Sequence, residues 1–439
     1  MEINPLWFFL LLILFVFLGH PLAYVLGAIG LFFGLFFWER DFSSIVYWRF
    51  WEMAQSYIWV CVPLFIFMGY MLERSGVADR LYRAVHVSLG GIRGGLAVAT
   101  IIISAVLATT IGVIGASVTT VGVVSLNPML RRGYDKRLVA GTILAGGGLG
   151  IIIPPSILLI LYANWAGVSL GRMFMAAFIP GLVLAALYSI YILIRCRLNP
   201  ELGPPVPAEE RAVSVGKKIL LLSSSLLPVF ILIFAVLGTI FFGIATPTES
   251  AAFGALGSML IAAANRKLTW SAFFQSCYNT ARASGVIFLI AAAALIFNTA
   301  FVVVGATDVL HTTILGLGLG PWGLLILMMF VIFFLGCFMD WIPILLIVIP
   351  IIVAVATKAG FDPIWLGTII CINLQIGYMT PPFAPSLFYL KAIAPPEIAM
   401  SDILWSTPPF IALMALGLAI VMLFPQLALW LPNLVFGHY

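Results

Sequence analysis

One pattern occurs twice in this chain, and no unbroken helix can carry it. Gly133-Tyr134-Asp135 is followed by fourteen residues, Gly150, three residues and Pro154-Pro155; 227 positions later, Gly360-Phe361-Asp362, Gly377 and Pro381-Pro382 repeat it with the same spacings. Each proline removes a backbone N–H and crowds the preceding turn, so a helix must stop there. Both copies lie in long apolar runs. In lipid, the N–H and C=O groups released at such a stop must be satisfied by protein, by cavity water or by a ligand. A matched pair of interrupted segments in the two halves of a membrane chain is the best sequence pointer to a transporter's binding site.

Composition decides the solvent. The 439 residues are 63% hydrophobic and 8% charged, with a mean hydropathy of +1.18. A soluble chain could not hide so much apolar surface, so this is a polytopic membrane protein. The net charge of +5 does not suggest nucleic acid, because no basic cluster is interleaved with exposed aromatics. The five cysteines are scattered without Cys-x-x-Cys spacing and are given no disulfide or metal role. The opening Met1-Glu2-Ile3-Asn4 lacks the basic start of a signal peptide, so the apolar run that follows is read as a membrane helix.

The fold this predicts is all-α, with two inverted-topology repeats, each holding a re-entrant helical hairpin and a discontinuous helix. The first repeat is placed at 1–195, with its hairpin at about 94–130 and its broken helix at about 138–166. A polar, proline-rich linker spans 196–216, and the second repeat fills 217–439, with its hairpin at about 322–356 and its broken helix at about 363–393. The 227-residue offset also relates Gly27-Ala28-Ile29-Gly30 to Gly254-Ala255-Leu256-Gly257, and the amphipathic piece 41–54 to 268–281. Charge sets the orientation. If the segments around Gly115 and Asp340 are hairpins, each half has five crossings, an odd number, and the copies are inverted. Then 17 of the 21 basic residues fall on the cytoplasmic side, leaving Arg40, Arg49, Arg172 and Lys358 outside, with both termini outside as well.

Each half thus offers a hairpin tip and a helix break near mid-bilayer, where helix N-termini attract anions and free carbonyls attract cations. Around the first break lie Ser117, Thr119, Thr120, Gly148, Gly150 and Ser156; around the second lie Asp340, Asn373, Gln375, Gly377 and Thr380. These are hard oxygen donors without thiolate or imidazole, suited to Na+ rather than a transition metal. Asp340 is the one carboxylate deep in a long apolar run, where a functional role is the default. Plainer roles stand beside these. The glycines of 146–150 suit close helix packing, Ser117, Thr119 and Thr120 can bond back to their own helix, and Asp340 can cap the hairpin's second helix. Asn298 reads as an interhelical hydrogen bond and the aromatic runs as interface anchors. No enzyme motif is present: Gly115-Ala116-Ser117-Val118-Thr119 falls short of Gly-x-Ser-x-Gly, and Gly316 to Gly320 follows no strand.

Arg132-Gly133-Tyr134-Asp135, the run from Gly147 to Ser156, and Asn373 to Phe383 resemble the large membrane subunit of TRAP transporters, the tripartite ATP-independent periplasmic systems of bacteria and archaea. The resemblance runs nearly end to end. It implies an elevator-type carrier of the ion-transporter superfamily in the cytoplasmic membrane, with Na+ as coupling ion and no other cofactor. It further implies a small four-helix membrane partner and a periplasmic substrate-binding protein that delivers an organic-acid anion. Carried over by motif, one Na+ site would use Ile114 (carbonyl), Ser117, Gly150 and Pro154. The other would use Gly336, Asp340, Gly377, Thr380 and Pro381. Gly115, Thr119, Pro155, Ser156 and Pro382 are the candidates for the anion. The sequence departs from the family pattern at Ile114-Gly115-Ala116-Ser117, where two hydroxyls are lost, and at Ala384, where the family has glycine. The rival reading is a stand-alone Na+/carboxylate symporter of the same fold that needs no binding protein.

Overall fold

The computed structural model describes residues 6–38, 41–112, 114–207, 214–306, 309, 316 and 318–437. The first half runs through α1 (Leu6–Phe17), α2 (Leu22–Trp38), α3 (Phe42–Gln55), α4 (Ile58–Arg74), α5 (Val77–Leu89), α6 (Gly95–Ile111), α7 (Ile114–Arg131), α8 (Lys136–Gly148), α9 (Ile157–Ala166) and α10 (Leu170–Leu198). The second half has α11 (Val215–Phe241), α12 (Pro247–Ala264), α13 (Trp270–Val303), α14 (Pro321–Gly336), α15 (Trp341–Lys358), α16 (Pro363–Met379), α17 (Pro385–Ile393), α18 (Met400–Leu423) and α19 (Gln426–Phe436). By length and composition α10, α13, α18 and the Lys218–Phe241 part of α11 are each able to cross a membrane alone. Helices α3 and α4 together make a further apolar path bent by 52°.

The doubled motif is a helix stop followed at once by a helix start. Gly133 and Gly360 take φ values of +73° and +90°, the left-handed region that favours glycine. Gly133 and Tyr134 donate to Leu130 and Met129, and Gly360 and Phe361 donate to Thr357 and Ala356, which closes a Schellman cap in both halves. The aspartate then begins the next helix. Asp135 Oδ1 accepts from the Leu138 N–H at 2.9 Å, and Asp362 Oδ1 from Ile364 and Trp365 at 2.7 and 3.1 Å. In both halves the chain therefore leaves a hairpin and enters the helix that will break through the same few residues.

The halves embrace each other reciprocally. Helix α2 packs on α13 while its counterpart α12 packs on α4. Likewise α9 packs on α15 and its counterpart α17 on α7, and α8 packs on α18 and its counterpart α16 on α10. Such exchanged pairings arise when two copies face each other across an approximate two-fold axis. Gly148 and Gln375 are counterparts at the 227-residue offset, and a Cβ on Gly148 would run into the Gln375 amide. Counterparts touch only where the axis passes, so the axis runs between the two breaks. The chain is two inverted copies of one helical unit, each with a hairpin (α6 and α7; α14 and α15) and a broken helix (α8 and α9; α16 and α17).

The copies also diverge. The amphipathic piece at 268–282 and the crossing at 283–304 read as separate segments in sequence, yet they form the single 34-residue helix α13. No proline or cap interrupts α13, whereas in the first half Ser56 turns extended (ψ 114°) between α3 and α4. The linker is held down at its start. Gly94 donates to the Gly203 carbonyl, Val206 to Gly90 and Asp135 to Leu202, at 2.9, 2.7 and 3.0 Å, so residues 202–206 clasp both feet of the first hairpin. Most of the Gly-rich stretch 305–320 lies outside the described residues. Within α15, Trp341–Pro350 and Ile352–Lys358 meet at 43°. Pro350 leaves the Leu346 carbonyl without its helical donor, and the Asn298 amide of α13 supplies one. Asn298 is thus the interhelical hydrogen bond the sequence suggested.

Candidate functional site

At the second break, α16 ends at Met379, Thr380 turns extended (φ −95°, ψ 128°) and α17 begins at Pro385. The Pro381-Pro382 bond is cis. This break meets the second hairpin tip backbone to backbone. A Cβ on Gly377 would lie 2.9 Å from the Cα of Gly336, and Phe383 N–H donates to the Cys337 carbonyl at 3.1 Å. Only a glycine pair permits that approach. The Gly336 carbonyl, at the end of α14, accepts no hydrogen bond from the described residues. Asp340 caps α15, its Oδ1 accepting from Trp341 N–H at 2.7 Å. Its second oxygen accepts no hydrogen bond among the described residues. Thr380 Oγ1 donates to the Ile376 carbonyl at 2.7 Å, which leaves its lone pairs free to act as a ligand. Pro381, Pro382 and Phe383 are exposed.

The first break is built alike but closed. Helix α8 tightens into a 3-10 turn at Leu149–Ile151, Pro154-Pro155 is again cis, and α9 starts at Ile157. Every residue from Leu138 to Ala163 is buried. Gly112, at the first hairpin tip, has φ +66° and sits against Ile157. The Ser156 hydroxyl does not cap α9; it donates to the Ile151 carbonyl at 2.7 Å. The Gly150 carbonyl accepts no hydrogen bond from the described residues. Around α8, three buried oxygens have no partner among the described residues: Ser104 Oγ, Ser117 Oγ and Gln375 Oε1. They stand against consecutive glycines. Ser104 meets Gly146, the turn holding Ser117 and Val118 meets Gly147, and Gln375 meets Gly148. Consecutive helical residues point about 100° apart, so these three oxygens surround α8 and do not converge on one point.

These contacts sort the residues singled out in sequence. Gly336, Gly377, Asp340 and Thr380 come together at the second tip and break, and Ser117 and Gly150 flank the first. Ile114 is buried as the first residue of α7, and helix geometry turns its carbonyl inward toward Val118 N–H rather than out of the tip. The carbonyls that helix geometry leaves without an intrahelical donor at that tip are instead those of the C-terminal turn of α6. Thr119 bonds back to the Gly115 carbonyl at 2.8 Å. Pro154, Pro155 and Ser156 are sealed in, while Pro381 and Pro382 are open. Asn373 is a packing link, its amide donating to the Met329 carbonyl at 2.6 Å.

Sequence reading passed over one residue that the fold puts at the junction. Tyr389 of α17 lays its ring against Gly115 of the first hairpin, 2.9 Å from where a Cβ there would sit. It also meets Tyr378 and lies within electrostatic reach of Asp340 at the second hairpin. It is 40% exposed. Its counterpart at the 227-residue offset is Tyr162, which is 0% exposed and donates its hydroxyl to the Pro363 carbonyl. The tyrosine repeat was a signal available in sequence; only the fold distinguishes its two members.

The sequence pattern of the family described as "Tripartite ATP-independent periplasmic transporter, DctM component" matches residues 9–427. The chain belongs to this family. It is 31% identical to the "C4-dicarboxylate TRAP transporter large permease protein DctM" of Vibrio cholerae, over 98% of this chain and 97% of that one. It is 30% identical to the "Ectoine/5-hydroxyectoine TRAP transporter large permease protein UehC" of Ruegeria pomeroyi, over 98% and 99%. It is 27% identical to the "Sialic acid TRAP transporter large permease protein SiaM" of Vibrio cholerae, over 86% and 87%. Among solved structures, the Alcanivorax borkumensis YdaH transporter, described as having an unusual topology, aligns with a TM-score of 0.58 at 15% identity over 97% of both chains. That likeness is one of fold alone. Large permeases named for three different solutes lie between 27 and 31% identity, so whole-chain similarity does not single out a solute for this one.

Proposed function

We propose that this TRAP large permease imports an organic-acid anion across the cytoplasmic membrane, driven by a Na+ gradient. The anion is handed over by a periplasmic binding protein, and a small membrane subunit stands beside the permease. The observation that carries the reading is the meeting of the second hairpin tip and second break at Gly336 and Gly377, with Asp340 and Thr380 beside them. One Na+ is assigned to Gly336, Asp340, Gly377, Thr380 and Pro381. Another is assigned to Ser117, Gly150, Pro154 and the carbonyls at the end of α6, where the Ser117 hydroxyl would find a partner. The anion is assigned to the open side, between Gly115, Pro382 and the Tyr389 hydroxyl. Thr119, Pro155 and Ser156 are given no direct contact, because Thr119 and Ser156 bond to their own backbone and Pro155 is buried.

The two hairpins, the two broken helices, α10 and α18 form the moving unit of an elevator, and α1–α4 with α11–α13 form the stationary frame. With the orientation set by charge, α17 lies on the cytoplasmic side and α9 on the outer side. The open second break and the buried α9 then belong to a state that faces inward. The test is uptake into proteoliposomes holding this chain with its small subunit and binding protein, using radiolabelled lactate, pyruvate, succinate and sugar acids. Accumulation under an inward Na+ gradient, but not under an equal K+ gradient, is the expected result. Equal uptake under both gradients would rule out the coupling, and full uptake without binding protein would favour the stand-alone symporter.

A further inference from the structure

A cavity of about 510 Å³ lies away from both breaks, where α3 meets the ends of α9 and α13. It contains none of the residues assigned to ion or anion. One wall belongs to the frame, with Arg49 and Glu52 of α3 and Asn298 and Thr299 of α13; the other belongs to the hairpin unit, with Asn164 and Trp165 of α9. One pair of side chains shows what would suit it. Arg49 and Glu52 stand one helical turn apart on the exposed side of α3, and neither forms an ion pair with another described residue. The cavity therefore offers a guanidinium to an anion and, one helical turn away, a carboxylate to a cation.

Its setting narrows the occupant. On α3, Tyr47, Trp48 and Trp51 are 59, 61 and 48% exposed beside charged residues, the make-up of a helix lying in the headgroup layer. A ligand joining a phosphate to an ammonium group, in that layer, is an amine-bearing phospholipid. We propose that the cavity holds the headgroup of such a lipid, its phosphate on Arg49 and its ammonium on Glu52. The lipid wedges the seam between frame and hairpin unit. The division into frame and moving unit rests on the transport reading.

The test reads lipid rather than transport, so its failure and that of the transport reading are distinguishable. The full chain, purified in detergent with mixed phosphatidylethanolamine, phosphatidylcholine and phosphatidylglycerol, is weighed by native mass spectrometry. One phosphatidylethanolamine should be retained over the other two. Arg49→Gln and Glu52→Gln should each weaken retention by roughly tenfold, as for the loss of a charge-assisted hydrogen bond. Two separate conservative variants guard against one that merely folds poorly. Equal retention of the three lipids overturns the proposal, as does a preference that none of the variants alters. Displacement by equimolar glycerophosphoethanolamine would overturn the lipid as the source, since a free headgroup would then serve as well.

Discussion

The two helix breaks began as one piece of sequence and now differ in nearly every property that matters to a ligand. At the first, Pro154, Pro155 and Ser156 are buried and the repeat-equivalents of Asp340 and Thr380 are Val113 and Ile153; Val113 lies outside the described residues. At the second, Pro381 and Pro382 are open and the acid and the hydroxyl are both present. The same split separates Tyr162, a buried strut, from Tyr389, which lies half-open between the hairpins. A duplicated unit supplies the architecture twice, and divergence then leaves one copy with a closed break and the other with an open one.

The sharpest way to break this contrast is Asp340→Asn. Asparagine caps a helix as well as aspartate, so stability should hold while the charge is lost. Removing a paired buried charge costs about 3 kcal/mol, roughly a hundredfold in cation affinity, and uptake at low Na+ should fall accordingly. Normal uptake would reduce Asp340 to its cap. Gly377→Ala comes next. Its Cβ would press on the Gly336 backbone at 2.9 Å, and overpacking of that kind costs about 1–3 kcal/mol; an unchanged melting temperature would mean that the tip and break are not apposed. The tyrosine pair is a matched control. Tyr389→Phe should raise KM for the anion by roughly tenfold or more through loss of one hydrogen bond to a charged group, without lowering the melting temperature. Tyr162→Phe should do the reverse, losing about 1 kcal/mol of stability with KM unchanged. The smallest effect belongs to Ala384→Gly. Ala384 holds φ +41°, a left-handed cost of about 1–2 kcal/mol. Glycine's extra freedom when unfolded returns about 0.4–1 of that, so thermal melting should rise only slightly.

Much of this was legible in the chain because proline and glycine act locally. Pro154-Pro155 and Pro381-Pro382 mark where helices stop, and the Gly-aromatic-Asp triplets mark a cap and a start, with no knowledge of the partner segment. What stayed hidden depends on contacts between residues far apart in sequence. Gly148 against Gln375, Gly336 against Gly377 and Tyr389 against Gly115 follow from how the copies face each other, and periodicity says nothing about that. The sealing of the first break was hidden for the same reason, since α4, α15 and α16 cover α9 from elsewhere in the chain. The unbroken α13 shows the limit of duplication as a guide: the same unit bends in one copy and runs straight in the other.

The most direct test needs neither substrate nor partner proteins. The melting temperature of the detergent-solubilised chain is measured against increasing NaCl, with KCl and choline chloride as controls at matched ionic strength. A ligand at a hundred times its Kd stabilises by about 2.7 kcal/mol, so Na+ alone should raise the melting temperature, and Asp340→Asn and Thr380→Ala should each blunt the rise. Equal stabilisation by all three salts, or a Na+ response untouched by both substitutions, would contradict a cation held at the second break.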